Sequence, residues 1–389
     1  MPEGESTMKA GIGFSEMKSA EAAVLEAFDE AVKISGDPAM TFLFTTDSYD
    51  QEKIYSTLMP RIGRGRLGGF CGGGIIRRSG VHNQGVGICT LSGDEIKVAT
   101  SLQKNLSADP KRAGRQGGEA LLESGMESGT VFVFPDGFST DVPEMIRELY
   151  ATMGHSYSYV GGGAGDNVRF FKTYQFTEEG IESDAAALVL IEGIHMASGI
   201  GHGWRPIKES FVITKIDGKR VIEIDGIPAF DAYRERIGEI SAESFPQYGM
   251  RHPLGFPDIY GNYLIRDPFT VNRDHSIDFV VEVPGNSVGY LMEAGTEDII
   301  KAASIVSLNV AEKVKKPEFV LVFDCISRYL MLGELFGKEL EGITEAFDSS
   351  VPFLGALTFG EVGCHIDIPL YYNKTIAIVS GGPEPEGER

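Results

Sequence analysis

The sequence predicts an α/β protein with mixed β-sheets, repeated strand-helix-strand units and two domains, and three observations carry that expectation. At 389 residues the chain exceeds one ordinary core, since domains commonly hold about 100–200 residues. Short apolar runs that stop at an acid alternate with amphipathic stretches, the pattern of buried strands feeding helices. The same order of segments then recurs three times.

"KAGIGFS" (9–15) reads as the first strand, and "SAEAAVLEAFDEAV" follows as a helix with Ser19 as its cap and Val24, Phe28 and Val32 on one face. The first repeat runs from "TFLFTTD" (41–47) through a helical stretch to "RLGGFCGGG" (66–74) and "GVGICTLSG" (85–93). The second runs from "TVFVFPD" (130–136) through a helix at 142–154 to "YSYVGGGAGD" (157–166) and "SDAAALVLIEG" (183–193). The third starts at "EFVLVFD" (318–324), passes a helix at 337–347, and closes on "VPFLGALTFGEVG" (351–363) and "NKTIAIVSG" (373–381). Each unit places an acid, Asp47, Asp136 or Asp324, at the C-terminal end of a buried strand. Ligand crevices of such sheets lie at those ends, although an Asp there also serves as a turn former or helix cap.

Between the second and third repeats, two β-rich runs joined at Asp217-Gly218 predict a hairpin. A proline-punctuated stretch at 245–268 predicts a long irregular connection, 276–284 a strand and 296–314 a helix. A boundary near 227–245 divides the chain into domains at 8–227 and 228–380, with 381–389 as a disordered tail.

Composition narrows the function. Hydrophobic residues at 42% and charged residues at 23% are those of a folded globular chain rather than a disordered one. A formal net charge of −21 repels phosphate backbones and anionic lipid surfaces, so neither nucleic acid nor membrane is an expected partner. Cys71, Cys89, Cys325 and Cys364 form no CxxC, which predicts neither a metal knuckle nor a disulfide ladder. With no basic start followed by an apolar core, and no long apolar run, the expected compartment is the cytoplasm.

The most unusual motif is "GHGWRP" (201–206), which holds the single tryptophan. Trp204 offers a stacking face and Arg205 a planar fork for a carboxylate or phosphate, with His202 beside them; equally, the tryptophan staples a corner and the arginine ties down a structural acid. "VGGGAGDN" (160–167) makes Gly162, Gly163, Asp166 and Asn167 candidates for an anion nest or a sharp turn. "GRGRLG" (63–68) leads into a strand and so fails as a dinucleotide fingerprint. In "DCISR", which joins Asp324, Cys325 and Arg328 at a strand end, Arg328 supplies Cys325 with a cationic neighbour but no base. Glu361, Asn373 and Thr375 fit either ligand contact or loop satisfaction. The seven histidines show no metal-ligand spacing.

As a set, "YVGGGAGD", "FKTYQF", "GHGWRPI", "EIDGIPAFDAY", "FDCISR", "GALTFGEVG" and "YYNKT" resemble the FIST family of sensory proteins, in both its N-terminal and C-terminal domains. The resemblance implies a cytoplasmic input module for signal transduction that binds a small ligand, an amino acid or similar polar molecule, without catalysing a reaction. It implies a separate signalling protein as partner, because the two domains use up the chain and leave no output domain. No metal or other cofactor is expected. Some FIST-like sensors hold haem and respond to nitric oxide, and in that alternative His202 is the first candidate for the iron; a hydrolase built on Cys325, Asp136 or Glu361 is the other. The ligand set expected on this reading is His202, Trp204, Arg205, Asp136, Gly162, Gly163, Asp166, Asn167, Asp324, Arg328 and Glu361.

Overall fold

A computed structural model describes residues 8–139, 141–365 and 367–384. Its first unit comprises β1 (Lys9–Ser15), α1 (Ala20–Ser35), β2 (Met40–Thr46), α2 (Gln51–Leu58), β3 (Arg66–Gly72), the hairpin β4 (Gly74–Arg77) and β5 (Gly80–His82), and β6 (Val86–Ser92). The second repeats that order as β7 (Lys97–Lys104), α3 (Pro110–Leu122), β8 (Gly129–Pro135), α4 (Val142–Met153), β9 (Tyr157–Gly162), the hairpin β10 (Gln175–Thr177) and β11 (Gly180–Glu182), and β12 (Ala185–Glu192).

The third unit opens much earlier than its sequence signature at 318, with β13 (His195–Gly201). An insert then intervenes: β14 (Arg205–Pro206), β15 (Phe211–Asp217), β16 (Arg220–Ile224), β17 (Ile227–Pro228), α5 (Ala229–Ile237), α6 (Phe245–Arg251), β18 (Leu254–Pro257), β19 (Tyr263–Arg266), β20 (Pro268–Val271), β21 (Ile277–Phe279) and β22 (Val288–Glu293). The unit resumes with α7 (Thr296–Lys313), β23 (Phe319–Cys325), α8 (Ile326–Leu332), α9 (Phe336–Thr344), β24 (Phe353–Thr358), the hairpin β25 (Glu361–Cys364) and β26 (Pro369–Tyr372), and β27 (Ile376–Gly382).

Three six-stranded sheets follow, ordered β1-β6-β2-β3-β10-β11, β7-β12-β8-β9-β25-β26 and β13-β27-β23-β24-β4-β5. In each, the hairpin at one edge comes from a different unit, so the three units exchange hairpins cyclically. The insert forms its own sheet, β19-β18-β22-β15-β16-β21-β20, with β14 on β22 and β17 on β16. That sheet runs across residues 227 and 228, so the topology groups residues 205–293 as one body.

Alternation along the central strands explains the layering, because successive side chains point to opposite faces. Phe42, Phe44, Phe132, Phe134, Leu321 and Phe323 face a shared inner core. Leu43 packs with α1 residues, Val131 and Val133 with α3 and α4 residues, and Val320 and Val322 with residues of α7 and α9. Phe44, Phe134 and Phe323 hold equivalent positions and form a triangle with ring centroids 6.0, 5.9 and 5.6 Å apart. Phe70 adds a fourth ring, 5.1 Å from Phe44 and 5.2 Å from Phe134. Its counterparts in register are Gly162 and Ala356, so one large residue and two small ones fill the centre without overpacking.

Three segments differ from the sequence expectation. The stretch 245–268 is α6 followed by the β18–β19 hairpin, and its prolines mark element ends: Pro246 in the first turn of α6, Pro257 closing β18, Pro268 opening β20. In 276–284 only Ile277–Phe279 is strand. Gly381 and Gly382 complete β27 rather than start a tail, while 385–389 lie outside the described residues.

Candidate functional site

The registers place Thr46, Asp136 and Cys325 at equivalent positions, opposite Gly72, Ala164 and Thr358. The three strand-end acids are therefore staggered by one residue each and do not form one ring. Asp136 follows Phe134 by two residues and keeps the inner face; Asp324 follows Val322 and faces the helices. Asp47 lies just beyond its strand.

Around Asp324 the third unit builds a buried ionic cluster. Arg328, one turn along α8, sits with its Nε 3.0 Å from the Asp324 carboxylate and pairs Glu339 of α9 through Nη2; all three side chains are inaccessible to solvent. The guanidinium also donates to the His202 carbonyl at 2.9 Å and the Ile299 carbonyl at 3.2 Å. Through those partners it ties β23, α7, α9 and the 201–204 segment together, while its Nε faces Asp324 without hydrogen-bond alignment. Burial raises the Asp324 carboxyl well above the ordinary range, with repulsion from Glu339 adding to it. Burial raises Glu339 as well.

Glu361 adjoins this group from β25. It accepts from Thr358 Oγ1 at 2.7 Å and from Thr375 Oγ1 and N–H at 2.6 and 3.2 Å, yet burial lifts its carboxyl to about 7. Gly162 lies directly opposite Glu361 in the β9–β25 pairing. A Cβ on Gly162 would stand 2.4 Å from Thr358 Cγ2, and one on Gly163 2.3 Å from the Tyr371 hydroxyl. The glycine run thus lets β9 approach the cluster closely. Tyr371 feels the charges of Glu361, Cys325 and Asp136 together, which locates Asp136 at its margin.

On the far side, Lys374 is fully buried in a left-handed backbone conformation, φ 59°. Its Nζ stands 3.0 Å from Asp267 of the insert and 5.4 Å from the centre of the Trp204 ring. Arg266, also buried, donates to the Tyr371 carbonyl at 2.9 Å. The cluster therefore sits where the insert meets the third unit. Eight buried side-chain atoms there lack an aligned hydrogen-bond partner among the described residues: Trp204 Nε1, both Asp324 oxygens, Arg328 Nε, Glu339 Oε2, His365 Nε2, Asn373 Oδ1 and Lys374 Nζ. Buried polar groups are ordinarily satisfied, so such a concentration marks this junction out.

The remaining candidates have other surroundings. Trp204 is buried with Ile265 and Met292, whereas Arg205 turns outward, its side chain 66% exposed and 3.1 Å from Glu293. The two do not share one corner, because neighbouring residues of an extended chain point apart. His202 Nδ1 accepts the Trp204 N–H at 2.8 Å. Burial, together with Arg328 and His365, lowers its pKa to about 4, while a backbone hydrogen bond at Tyr263 opposes the shift. Asp166 accepts three backbone N–H groups, from Arg169, Phe170 and Phe171, at 2.7–2.9 Å. The Asn167 N–H and the Arg169 guanidinium bond Asp47. These residues brace the 166–172 loop, in which Val168 and Phe170 adopt positive φ.

Cys325 lies 3.1 Å from Ser327 Oγ, and burial pushes its thiol up to about 12. Lys374, Glu339 and Asp267 were not anticipated from the sequence. Only the "YYNKT" run, already noted for Asn373 and Thr375, carried a hint of Lys374. The surface depression bounded by Lys208, Glu209, Glu235 and Arg236 lies on the insert and its approach and shares no residue with the cluster. Among the described residues no helix is long and apolar enough to cross a membrane, and no three His, Cys, Asp or Glu side chains are grouped to hold a metal ion.

Family models for the FIST N domain and the FIST C domain match residues 39–227 and 229–364. The chain belongs to the FIST family. FIST domains are associated with sensory signal transduction. An uncharacterized protein of Methanocaldococcus jannaschii is 27% identical over 217 residues, 52% of this chain and 42% of that protein, so the match spans less than half of that relative. An uncharacterized protein of Mycobacterium tuberculosis is 24% identical over 386 residues, 92% of this FIST protein and 95% of the relative. Among solved structures, a cyanuric acid hydrolase from A. caulinodans aligns over 97% of this chain and 99% of its own at 9% identity and a TM-score of 0.34. PurLQS from Thermotoga maritima aligns over 98% and 75% at 11% identity and a TM-score of 0.25. Likenesses that low carry no functional argument.

Proposed function

We propose that this FIST protein is a sensory input module that binds a small polar ligand, an amino acid or a close analogue, at the junction of insert and third unit. The observation that supports this most is the convergence there of buried polar atoms that lack an aligned hydrogen-bond partner, some of them held only by ion pairs. Their chemistry is two-sided: Asp324, Glu339 and Asn373 offer acceptors suited to an ammonium group, while Lys374 and Trp204 Nε1 offer donors suited to a carboxylate. Arg328 is held by Asp324, Glu339 and two backbone carbonyls and Arg205 is outside, so Lys374 replaces both as the expected anion partner.

Signalling follows if ligand favours one placement of the insert, because a ligand shifts an equilibrium only through its differential affinity for the two states. Lys374–Asp267 and Arg266–Tyr371 are the contacts that such a shift would remake. A separate protein would read the change. An enzymatic role has less support: the Cys325 thiol is held protonated by burial, and a thiol is a far weaker nucleophile than a thiolate.

Melting the protein against an amino-acid panel, with amide exchange on any hit, tests the proposal. A binder raises the melting temperature by mass action and protects amides around 202–204, 263–267 and 373–375. A panel without a hit, or protection confined to other segments, overturns it.

A further inference from the structure

The charge inventory of the cluster does not balance. Asp324 from β23, Glu339 from α9 and Glu361 from β25 are each fully buried. Facing them are Arg328 from α8, Lys374 from the loop before β27, His202 from the segment after β13, His365 from the β25–β26 hairpin, and the uncharged Cys325 and Tyr371. Lys374 is claimed by Asp267, and His202 is neutral near pH 7 for the reasons given above. Arg328 then offsets one carboxylate of three. Two uncompensated charges in a dry interior are far more costly than neutralising a carboxylate, and a buried acid in that position takes up a proton instead. Both oxygens of Asp324 and one of Glu339 lack aligned hydrogen-bond donors, so the single Arg328 guanidinium is what favours their anionic forms.

We propose that the empty cluster carries a proton shared among Asp324, Glu339 and Glu361, and that the cationic nitrogen of a ligand displaces it, so that binding releases a proton. This rests on reading the junction as the ligand site. In the exchange a carboxyl O–H breaks, its proton passes to solvent, and the N–H bonds of an ammonium group donate to the carboxylate left behind; no electrons move. Three coupled acids titrate as a set, so the proton belongs to the cluster rather than to one residue. Affinity for a cationic group then rises by up to about tenfold per pH unit while the cluster remains protonated. Asn373 Oδ1 and Trp204 Nε1 are likewise buried without a hydrogen-bond partner among the described residues.

Infrared spectroscopy of the ligand-free protein in heavy water tests the first half without any ligand. At neutral pH the wild type is expected to show a protonated-carboxyl C=O band that Glu361→Gln or Asp324→Asn removes or shifts, and that Asp136→Asn alters differently. A wild-type spectrum without that band, or a band that neither cluster variant moves, overturns the proposal. Should a variant fail to fold, titrating the wild-type band decides: the midpoint is expected well above the usual carboxylate range, and an ordinary midpoint overturns the idea. For the second half, methylammonium is expected to raise the melting temperature more at mildly alkaline than at mildly acidic pH, with acetate as comparator. A band without that methylammonium effect overturns the exchange. A band and a methylammonium effect, with no hit in the amino-acid panel, would sink the proposed ligand class and leave the proton exchange standing.

Discussion

His202 and Glu361 lie in one buried neighbourhood and have been moved in opposite directions by it, which makes their separate contributions to stability measurable. Burial lowers His202 from 6.5 to about 4, so the folded state binds fewer protons than the unfolded state across that interval. Its contribution is complete above about 6.5 and is lost as pH falls toward 4; at 1.36 kcal/mol per pH unit the interval is worth about 3 kcal/mol. Burial lifts Glu361 from 4.5 to about 7, so the folded state binds more protons than the unfolded one between those values. Its contribution is complete below about 4.5 and is lost as pH rises to 7, a loss shared with the acids that titrate alongside it. Between roughly 4.5 and 6.5 the two slopes nearly cancel. His202→Asn, which keeps an acceptor for the Trp204 N–H, should flatten the acid-side loss relative to wild type, and Glu361→Gln should flatten the loss toward neutrality. Urea unfolding across a pH series supplies the free energies, provided the m-values agree. Variant-minus-wild-type curves with slopes of opposite sign are expected. Curves that run parallel to the pH axis for both variants would refute the reasoning.

Other consequences follow from packing and bracing. Phe70→Ala should cost about 3–5 kcal/mol, because its counterparts Gly162 and Ala356 leave nothing to fill the vacated centre; a loss below about 1 kcal/mol in urea unfolding would contradict the four-ring arrangement. Gly162→Val should destabilise by about 1–3 kcal/mol or more, since its Cβ would press on Thr358, which holds Glu361; an unchanged unfolding midpoint would show that β9 does not approach as described. Asp166→Ala strips the acceptor from three backbone N–H groups, and amide exchange at residues 169–171 should accelerate more than exchange in β8 or β9. Uniform exchange across those segments would remove the bracing role.

Much of the fold was legible because its signals are local. Ser19 caps α1 as expected, its Oγ accepting from the Ala22 N–H at 3.3 Å, and Asp217-Gly218 closes the β15–β16 hairpin with Gly218 at φ 56°. The threefold recurrence of strand, helix, glycine-rich strand and closing strand was readable too. What the sequence concealed was long-range: the exchange of hairpins between units, and the start of the third unit at β13, far upstream of its central strand and separated from it by the insert. The site shows the same division. Asp324, Arg328 and Glu361 were identifiable as chemistry-bearing residues, and the register brought Gly162 to Glu361. Lys374 was passed over because a lone lysine in a turn is ordinarily solvated, and only tertiary contact with Trp204 and Asp267 buries it. Arg205 drew attention through its neighbour, although alternation sends the two side chains apart.

The most direct test compares two basic residues by calorimetric titration with a ligand found in the melting panel. If recognition occurs at the junction, Lys374→Met weakens binding at least about tenfold, equivalent to some 1.4 kcal/mol, while Arg205→Ala leaves it unchanged. Full affinity in Lys374→Met together with a loss in Arg205→Ala would place the ligand on the outer surface and contradict the account.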